Sequence, residues 1–65
     1  MTIGEKIRDL RKEKGLTQED LAKKTNLTCA AIINIEKGHN IPSANSLYKI
    51  SEALEYNYDK LMELI

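Results

Sequence analysis

The side chains that most often perform catalysis or bind metal ions are scarce in this sequence. Cys29 is the only cysteine and His39 the only histidine among the 65 residues. One cysteine supports neither a disulfide framework nor a cysteine-rich zinc site. A chain of this length also leaves few residues for a catalytic cleft once its core has formed. We therefore predict that the chain is not an enzyme and that it uses no cofactor and no metal.

The composition is typical of one small folded domain that spans residues 1–65. Hydrophobic residues make up 42% of the chain, and ten basic side chains balance ten acidic ones. Disordered chains have fewer apolar residues and a larger net charge. A single free thiol fits a reducing compartment, and no apolar run approaches the ~20 residues that span a bilayer. Charged residues begin close to the first Met, unlike in a secretory signal. We therefore expect a cytoplasmic protein without a membrane partner.

The charges are unevenly distributed along the chain. Residues 1–25 carry seven basic and five acidic side chains, whereas residues 50–65 carry one basic and four acidic side chains. A nucleic-acid partner requires a local positive face rather than a positive total. The balanced total therefore does not exclude such a partner, although charge alone favours an ordinary mixed surface.

Capping residues divide the sequence into five short helices. The capping residues are Thr2, Thr17, Thr28, Ser43 and Asn57. The first two are each followed three residues later by an acidic residue, Glu5 or Asp20, which is the spacing of a capping box. Gly15, Asn26 and Gly38 favour the left-handed backbone that ends a helix. No segment shows the alternation of a strand, so the sequence predicts an all-α fold.

The segment from residue 17 to residue 37 combines two of these helices with a turn of three or four residues. The small Ala22 lies where the two helices meet and lets them cross closely. The apolar residues spaced to share one core are Leu21, Leu27, Ile32 and Ile35. Two helices joined in this way form a helix-turn-helix, whose second helix fits the major groove of DNA.

Several motifs of the chain resemble those of the helix-turn-helix domains of phage repressors and Cro, the XRE family. They are residues 3–11 (IGEKIRDLR), 15–22 (GLTQEDLA), 35–38 (IEKG), 42–43 (PS), 53–54 (AL) and Leu61. The resemblance covers nearly the whole chain. It implies a compact five-helix, lambda-repressor-like domain that binds double-stranded DNA. It further implies a homodimeric transcriptional regulator of the Cro/C1 type, which represses by occluding a promoter at an inverted-repeat operator.

The resemblance also bears on the setting of the protein. The family points to a bacterial or phage-encoded protein that is associated with the nucleoid in the cytoplasm. We expect no small-molecule ligand, because 65 residues leave no room for an effector domain beside the helix-turn-helix.

The resemblance assigns contacts with DNA phosphates to six residues. These are Arg11, Thr17, Gln18, Lys37, His39 and Asn40. Physical chemistry agrees at Gln18, because free amides and the helix dipole favour an anion at the start of a helix. Arg11 and Glu36 also match a pair that forms a partly buried salt bridge, which fixes the tilt of the third helix against the first.

The resemblance places the base-contacting residues at the start and on the outer face of the third helix. They are Thr28, Cys29, Ala30, Ile33 and Asn34. Strong base readers such as Arg, Gln and Lys are absent from this set. Asn34 suits adenine, and the apolar groups suit thymine methyls. Readout therefore favours A·T-rich steps or else depends on DNA shape.

The same composition has a second interpretation. Ile33 is predicted to face solvent beside Cys29 and Ala30, and an exposed apolar patch often marks a protein-binding surface. The alternative function is therefore a protein-interaction module, of an antirepressor or antitoxin-like kind, that uses the apolar face of the third helix.

The C-terminal residues supply more apolar surface than one short helix needs for its own packing. In the family this region contributes to a two-fold dimer, which assigns Tyr58, Leu61, Met62 and Ile65 to a homodimer interface. The alternative is that the tail closes the core of its own domain, which a chain of this size also needs.

Overall fold

The computed structural model describes residues 1–65 and contains five α-helices. They are α1 (Ile3–Glu13), α2 (Gln18–Thr25), α3 (Cys29–Glu36), α4 (Ala44–Leu54) and α5 (Tyr58–Met62). The chain contains no strand, so the predicted all-α, five-helix fold is confirmed. None of the five helices combines the length and the apolar character that crossing a bilayer demands.

Each helix begins at the capping residue that the sequence predicts. The five capping side chains each accept a hydrogen bond from a backbone N–H three residues later. At α1 and α2 the arrangement is reciprocal, because Glu5 accepts the N–H of Thr2 at 2.8 Å and Asp20 accepts that of Thr17 at 2.9 Å. The backbone N–H of the capping residue, and then its hydroxyl, hold the pKa of each carboxyl group below its ordinary value.

Two helices end at a left-handed residue that is not glycine. Asn26, after α2, has a φ of 58°, and Glu55, after α4, has a φ of 54°. The short polar side chain of Asn tolerates this conformation, whereas the longer Glu carries a cost of about 1 kcal/mol. Lys14 Nζ lies 2.5 Å from the carboxylate of Glu55. Such an exposed contact offsets little of the strain.

Eleven buried apolar residues form one core to which all five helices contribute. They are Ile3, Ile7, Leu10, Leu21, Ala22, Ile32, Ile35, Leu47, Ile50, Leu54 and Leu61. Helix α3 packs against α1 and α2, and α4 packs against α1, α2 and α5. The orientation of α3 is therefore set by two helices at once, while its remaining side is left to solvent.

Helix α1 approaches the end of α3 very closely at Gly4. Gly4 is buried, and a Cβ atom added to it would overlap the carbonyl oxygen of Ile35 and lie 3.0 Å from that of Glu36. A side chain at this position would push the last turn of α3 away from α1. Sequence spacing does not reveal this requirement, because a glycine inside a helix is simply a weak helix former.

Candidate nucleic-acid interface

A buried ion pair joins α1 to α3. Arg11 Nε donates to Glu36 Oε2 at 2.7 Å, and Arg11 Nη2 donates to Glu36 Oε1 at 3.0 Å. The two side chains are only 10% and 3% exposed. Hydrogen bonding to Glu36 raises the pKa of the Arg11 guanidinium, and burial only partly opposes that rise. The structure thus brings together the two residues that the resemblance pairs.

The geometry corrects the phosphate contact expected of Arg11. Its third nitrogen, Nη1, donates to the carbonyl oxygen of Leu16 at 2.8 Å. All three guanidinium nitrogens are therefore engaged inside the protein, and the side chain holds α1, α3 and the loop before α2 together. Arg11 contributes positive charge near the surface, but each of its guanidinium nitrogens already donates within the protein, so it is poorly placed for a direct hydrogen bond to DNA.

Gln18 is the first residue of α2 and lies beside this ion pair. Its Nε2 donates to Glu36 Oε1 at 3.1 Å, which orients the amide group. The amide nitrogen carries a second hydrogen that is left for an external acceptor. The first N–H groups of a helix also lack partners within the helix and favour an anion. The hydroxyl oxygen of Thr17 accepts the N–H of Asp20 at 3.0 Å, and the same hydroxyl already interacts with the Asp20 carboxylate in the capping box.

A shallow cleft of about 360 Å³ opens at this end of α2. The residues that line it are Arg8, Arg11, Gln18, Glu36 and Lys37. Three cationic side chains face one carboxylate there, so the cleft is locally positive although the chain has a net charge of zero. We call this surface the α2 cleft. Its charge and its amide donors suit an anionic group such as a phosphate.

Sequence reasoning missed Arg8 as a member of the α2 cleft. Arg8 is exposed on α1 and takes part in none of the salt bridges of the chain. It stands three residues before Arg11, and residues at this spacing lie on neighbouring turns of one helix face. The spacing of Arg8 and Arg11 could have indicated from the sequence that both lie on one face of α1. Because Arg11 is occupied by Glu36, Arg8 is the cation of α1 that remains available at the cleft.

The residues expected to contact bases occupy the side of α3 that faces away from the core. Thr28, Cys29 and Ala30 are exposed, while Ile33 and Asn34 are half-buried. Ile33 was expected to face solvent, and the structure leaves its side chain only partly exposed. The hydroxyl oxygen of Thr28 accepts the N–H of Ala31 at 3.1 Å and caps the helix.

The segment after α3 folds back onto the end of that helix. Gly38 has a φ of +82°, and the N–H groups of His39 and Asn40 both donate to the carbonyl oxygen of Asn34, at 2.9 and 3.3 Å. Lys37, His39 and Asn40 are all exposed as a result. They lie next to the outward face of α3, and Lys37 also lines the α2 cleft.

The C-terminal residues divide between the core and the surface. Leu61 has no exposed surface and belongs to the core, so its expected place in a dimer interface is wrong. Tyr58 is half-buried, whereas Met62 is 40% and Ile65 52% exposed. Ile41 is 67% exposed and lines an apolar cleft of about 350 Å³ together with Ile65.

Comparisons with known proteins agree with this architecture. The helix-turn-helix family HTH_3 matches residues 7–61. The immunity repressor protein of Bacillus phage phi105 is 41% identical over 54 residues, which is 83% of this chain and 38% of that repressor. An uncharacterised HTH-type transcriptional regulator of Methanothermobacter thermautotrophicus is 48% identical over 48 residues, which is 74% of this chain and 70% of that protein. The chain thus spans well under half the length of the phage relative.

Two solved structures superpose on nearly the whole chain. The P22 c2 repressor protein in complex with synthetic operator 9T has a TM-score of 0.89 at 31% identity, covering 94% of this chain and 92% of its own. The regulator of biofilm formation SinR in complex with DNA has a TM-score of 0.88 at 32% identity, covering 94% of this chain and 98% of the SinR chain.

The fold and the α2–α3 arrangement define a lambda-repressor-like helix-turn-helix domain. The chain belongs to the helix-turn-helix family HTH_3, a family of DNA-binding transcriptional regulators. This confirms the expected family.

Proposed function

We propose that this chain binds double-stranded DNA sequence-specifically as a homodimer and represses transcription by occluding a promoter. The observation that carries the proposal is the α2 cleft, which lies at the start of α2 and reaches Glu36 and Lys37 at the end of α3. The cleft offers a positive, amide-lined site for a phosphate, and the neighbouring helix face has the width that a major groove accepts.

Phosphate contacts are proposed to set the position of the domain on the duplex. Gln18 supplies its oriented amide and the start of α2, and Thr17 is the further proposed contact directly before it. Arg8 and Lys37, which both line the cleft, contribute positive charge. Contacts of this kind fix register and orientation without selecting a sequence. His39 and Asn40 extend the same line of polar groups beyond the end of α3.

Base contacts are proposed to come from the outward face of α3. The residues are Thr28, Cys29, Ala30, Ile33 and Asn34. Asn34 carries the only side-chain amide among them, and a bidentate contact from Asn suits adenine. Half-burial of Asn34 and Ile33 limits their motion and so reduces the entropy lost on binding.

A homodimer is proposed to form through the exposed apolar residues near the C-terminus. Met62, Ile65 and Ile41 expose apolar surface, and Tyr58 is half-buried at the start of α5. The molecule measures 25 × 23 × 20 Å. Two copies side by side therefore leave room for their α3 helices to enter successive major grooves, about 34 Å apart. A protein bound across a promoter in this way excludes other proteins from it.

The similarities support this function by analogy. The relative from phage phi105 is named an immunity repressor, and both the P22 c2 repressor and SinR were solved with DNA. Identity above 30% over nearly the whole domain supports the proposal that this chain also binds DNA.

The proposal is tested by selecting bound duplexes from a random DNA library, with Asn34→Ala in parallel. Enrichment of an inverted repeat is expected, and Asn34→Ala should weaken the base preference at one or more positions in each half-site. Enrichment of a single half-site would contradict the dimer. No enrichment by folded protein would contradict sequence-specific DNA binding altogether.

Affinity measured against salt concentration tests the phosphate contacts separately. Each phosphate contact contributes about 0.9 to the slope of log affinity against log salt. Lys37→Ala should make the decline of log affinity with log salt shallower, reducing the magnitude of the slope by about 1. The matched control is Lys60→Ala, an exposed lysine on α5, which should leave the slope unchanged. Equal effects of the two substitutions would argue against a phosphate contact at Lys37.

The alternative function, a protein-interaction module on the face of α3, has one observation in its favour. Cys29 and Ala30 are exposed apolar or weakly polar groups on that face. The half-burial of Ile33 makes the exposed apolar area smaller than the sequence indicates. A folded protein that enriches no DNA would favour this alternative, and Ala30 would then be the first residue to substitute in a search for a protein partner.

A further inference from the structure

The carboxylate of Glu36, at the end of α3, receives three side-chain donors from other parts of the chain. Arg11 Nε donates to Oε2 at 2.7 Å, while Arg11 Nη2 and Gln18 Nε2 both donate to Oε1, at 3.0 and 3.1 Å. The Glu36 side chain is only 3% exposed, and Arg11 is buried as well. Gln18 is half-buried and is therefore the member of this network that lies nearest to solvent.

The network decides which atom of the Gln18 amide faces Glu36. An ionised carboxylate accepts hydrogen bonds and donates none, so it attracts the nitrogen of an amide group and repels its oxygen. A half-turn of the amide would bring the two oxygens together and is unfavourable. One N–H of Gln18 is thus engaged by Glu36, and the other stays available to an acceptor outside the protein. A phosphate oxygen is such an acceptor.

A carboxylate beside a phosphate site would by itself repel the phosphate. Arg11 compensates for this charge, because its guanidinium contacts both oxygens of Glu36. Arg8 and Lys37 add two further cations to the lining of the α2 cleft. The ion pair therefore gives Gln18 a hydrogen-bond acceptor without making the cleft negative.

A side chain that is held in place before binding loses less entropy on binding. Immobilising a rotamer-rich side chain such as glutamine lowers affinity by about 2- to 10-fold. The amide of Gln18 is bonded to Glu36 before any DNA is present. This entropy is therefore lost when the protein folds rather than when it binds.

We propose that Glu36 is a positioning residue for DNA binding, which holds the amide of Gln18 in the orientation that donates to a phosphate. Arg11 serves this role by neutralising the charge of Glu36. The inference rests on the proposed DNA binding and adds a second effect to an ion pair that also joins α3 to α1. The two effects are separable, because the first concerns one phosphate contact and the second concerns every contact made from α3.

A double-mutant cycle with the duplex obtained by selection tests the coupling between Glu36 and Gln18. Arg11→Met together with Glu36→Leu replaces the ion pair by apolar side chains, which buried pairs often tolerate, and leaves the net charge unchanged. The loss of affinity caused by Gln18→Ala should be about 2- to 10-fold smaller in this background than in the wild type.

The matched control is Lys37→Ala in the same two backgrounds. Lys37 also lines the α2 cleft, but it takes part in none of the salt bridges of the chain. Its substitution should weaken binding by the same factor with and without the ion pair. A general displacement of α3 would instead reduce the effects of Gln18→Ala and Lys37→Ala alike.

The free protein provides a second measurement that needs neither DNA nor a variant. Nuclear magnetic relaxation of the side-chain amide nitrogens reports how far each amide is immobilised. Gln18 should be nearly as rigid as the backbone, with an order parameter of about 0.8, whereas the exposed Asn45 should lie below about 0.6.

The outcomes separate this inference from the proposed function. If the selected duplex binds tightly and Gln18→Ala has the same effect in both backgrounds, positioning by Glu36 is overturned and DNA binding stands. Equal reductions for Gln18→Ala and Lys37→Ala overturn it too. A Gln18 amide as mobile as that of Asn45 also overturns it, and this measurement decides if the variant without the ion pair does not fold. If no duplex is selected, the proposed function and the inference are both overturned.

Discussion

Arg11 is the single residue on which the geometry of the interface most depends. Its guanidinium joins Glu36 of α3 to the carbonyl of Leu16, in the loop before α2. Glu36 in turn accepts the amide of Gln18. One buried carboxylate thus links the start of α2, where a phosphate is proposed to bind, to α3, whose outward face is proposed to contact bases.

Removing Arg11 is expected to destabilise the fold severely. Arg11→Ala strands the buried carboxylate of Glu36, which costs about 3–5 kcal/mol. In a domain of this size that lowers the melting temperature by roughly 12 °C or more. Lys12→Ala, at the exposed neighbouring position, is the control and should change the melting temperature little. Thermal unfolding followed by circular dichroism measures both, and similar melting temperatures for the two variants would refute a stabilising ion pair.

Single residues also mark the limit of what the sequence predicts at the interface. The pairing of Arg11 with Glu36 was predictable only from the family resemblance, since 25 residues separate them. The half-burial of Ile33 was not predictable, because it follows the fully buried Ile32 and lies at the border of the helix face. Burial at such a border is decided by the neighbouring elements, which helical spacing does not describe.

At the scale of the helices, the starting points were predictable because they are set by local chemistry. A capping side chain and the N–H that it binds are three residues apart, so the whole interaction is visible in the sequence. The packing between helices was harder to predict from the sequence. Gly4 looked like an ordinary helix residue, and the choice of Leu61 over Met62 as the buried residue of α5 depended on how α5 meets α4.

The capping box of α2 predicts a loss of stability in acid. The pKa of Asp20 lies below its ordinary value, so Asp20 stabilises the fold above the unfolded-state pKa. That stabilisation is lost as the pH falls through the lower, folded-state pKa. Asp20→Asn should therefore lower the melting temperature at neutral pH and reduce its decline between about pH 5 and pH 2. Glu5 contributes in the same way, so part of the decline should remain. Parallel curves for the wild type and Asp20→Asn would contradict this role.

The contact between α1 and α3 predicts an unusual response to alanine. Gly4→Ala improves helix propensity, which alone would stabilise an exposed helix by up to about 1 kcal/mol. Here the new Cβ overlaps the backbone of Ile35, and overpacking of this kind costs about 1–3 kcal/mol. We expect net destabilisation, measured by urea unfolding. Gly4→Ala should also weaken DNA binding, because it displaces the last turn of α3. A variant as stable as the wild type would show that α1 and α3 are not held as described.

At the scale of the whole molecule, the C-terminal surface predicts self-association. Leu61 closes the core, while Met62 and Ile65 stay exposed. Replacing both with Glu should leave the melting temperature nearly unchanged and shift the sedimentation equilibrium towards the monomer. Glu63→Gln, an exposed change between them, is the control and should not shift it. A wild-type protein that stays monomeric at high concentration would contradict the dimer.

The central claim is that DNA contacts the start of α2 and the outward face of α3. A titration of isotope-labelled protein with the selected duplex, followed by amide chemical shifts, tests it residue by residue. We predict that the largest changes fall at Thr17 and Gln18, along residues 28–34 and at residues 37–40. Changes confined to α5 and the C-terminal tail, or no changes at all at low salt, would contradict it.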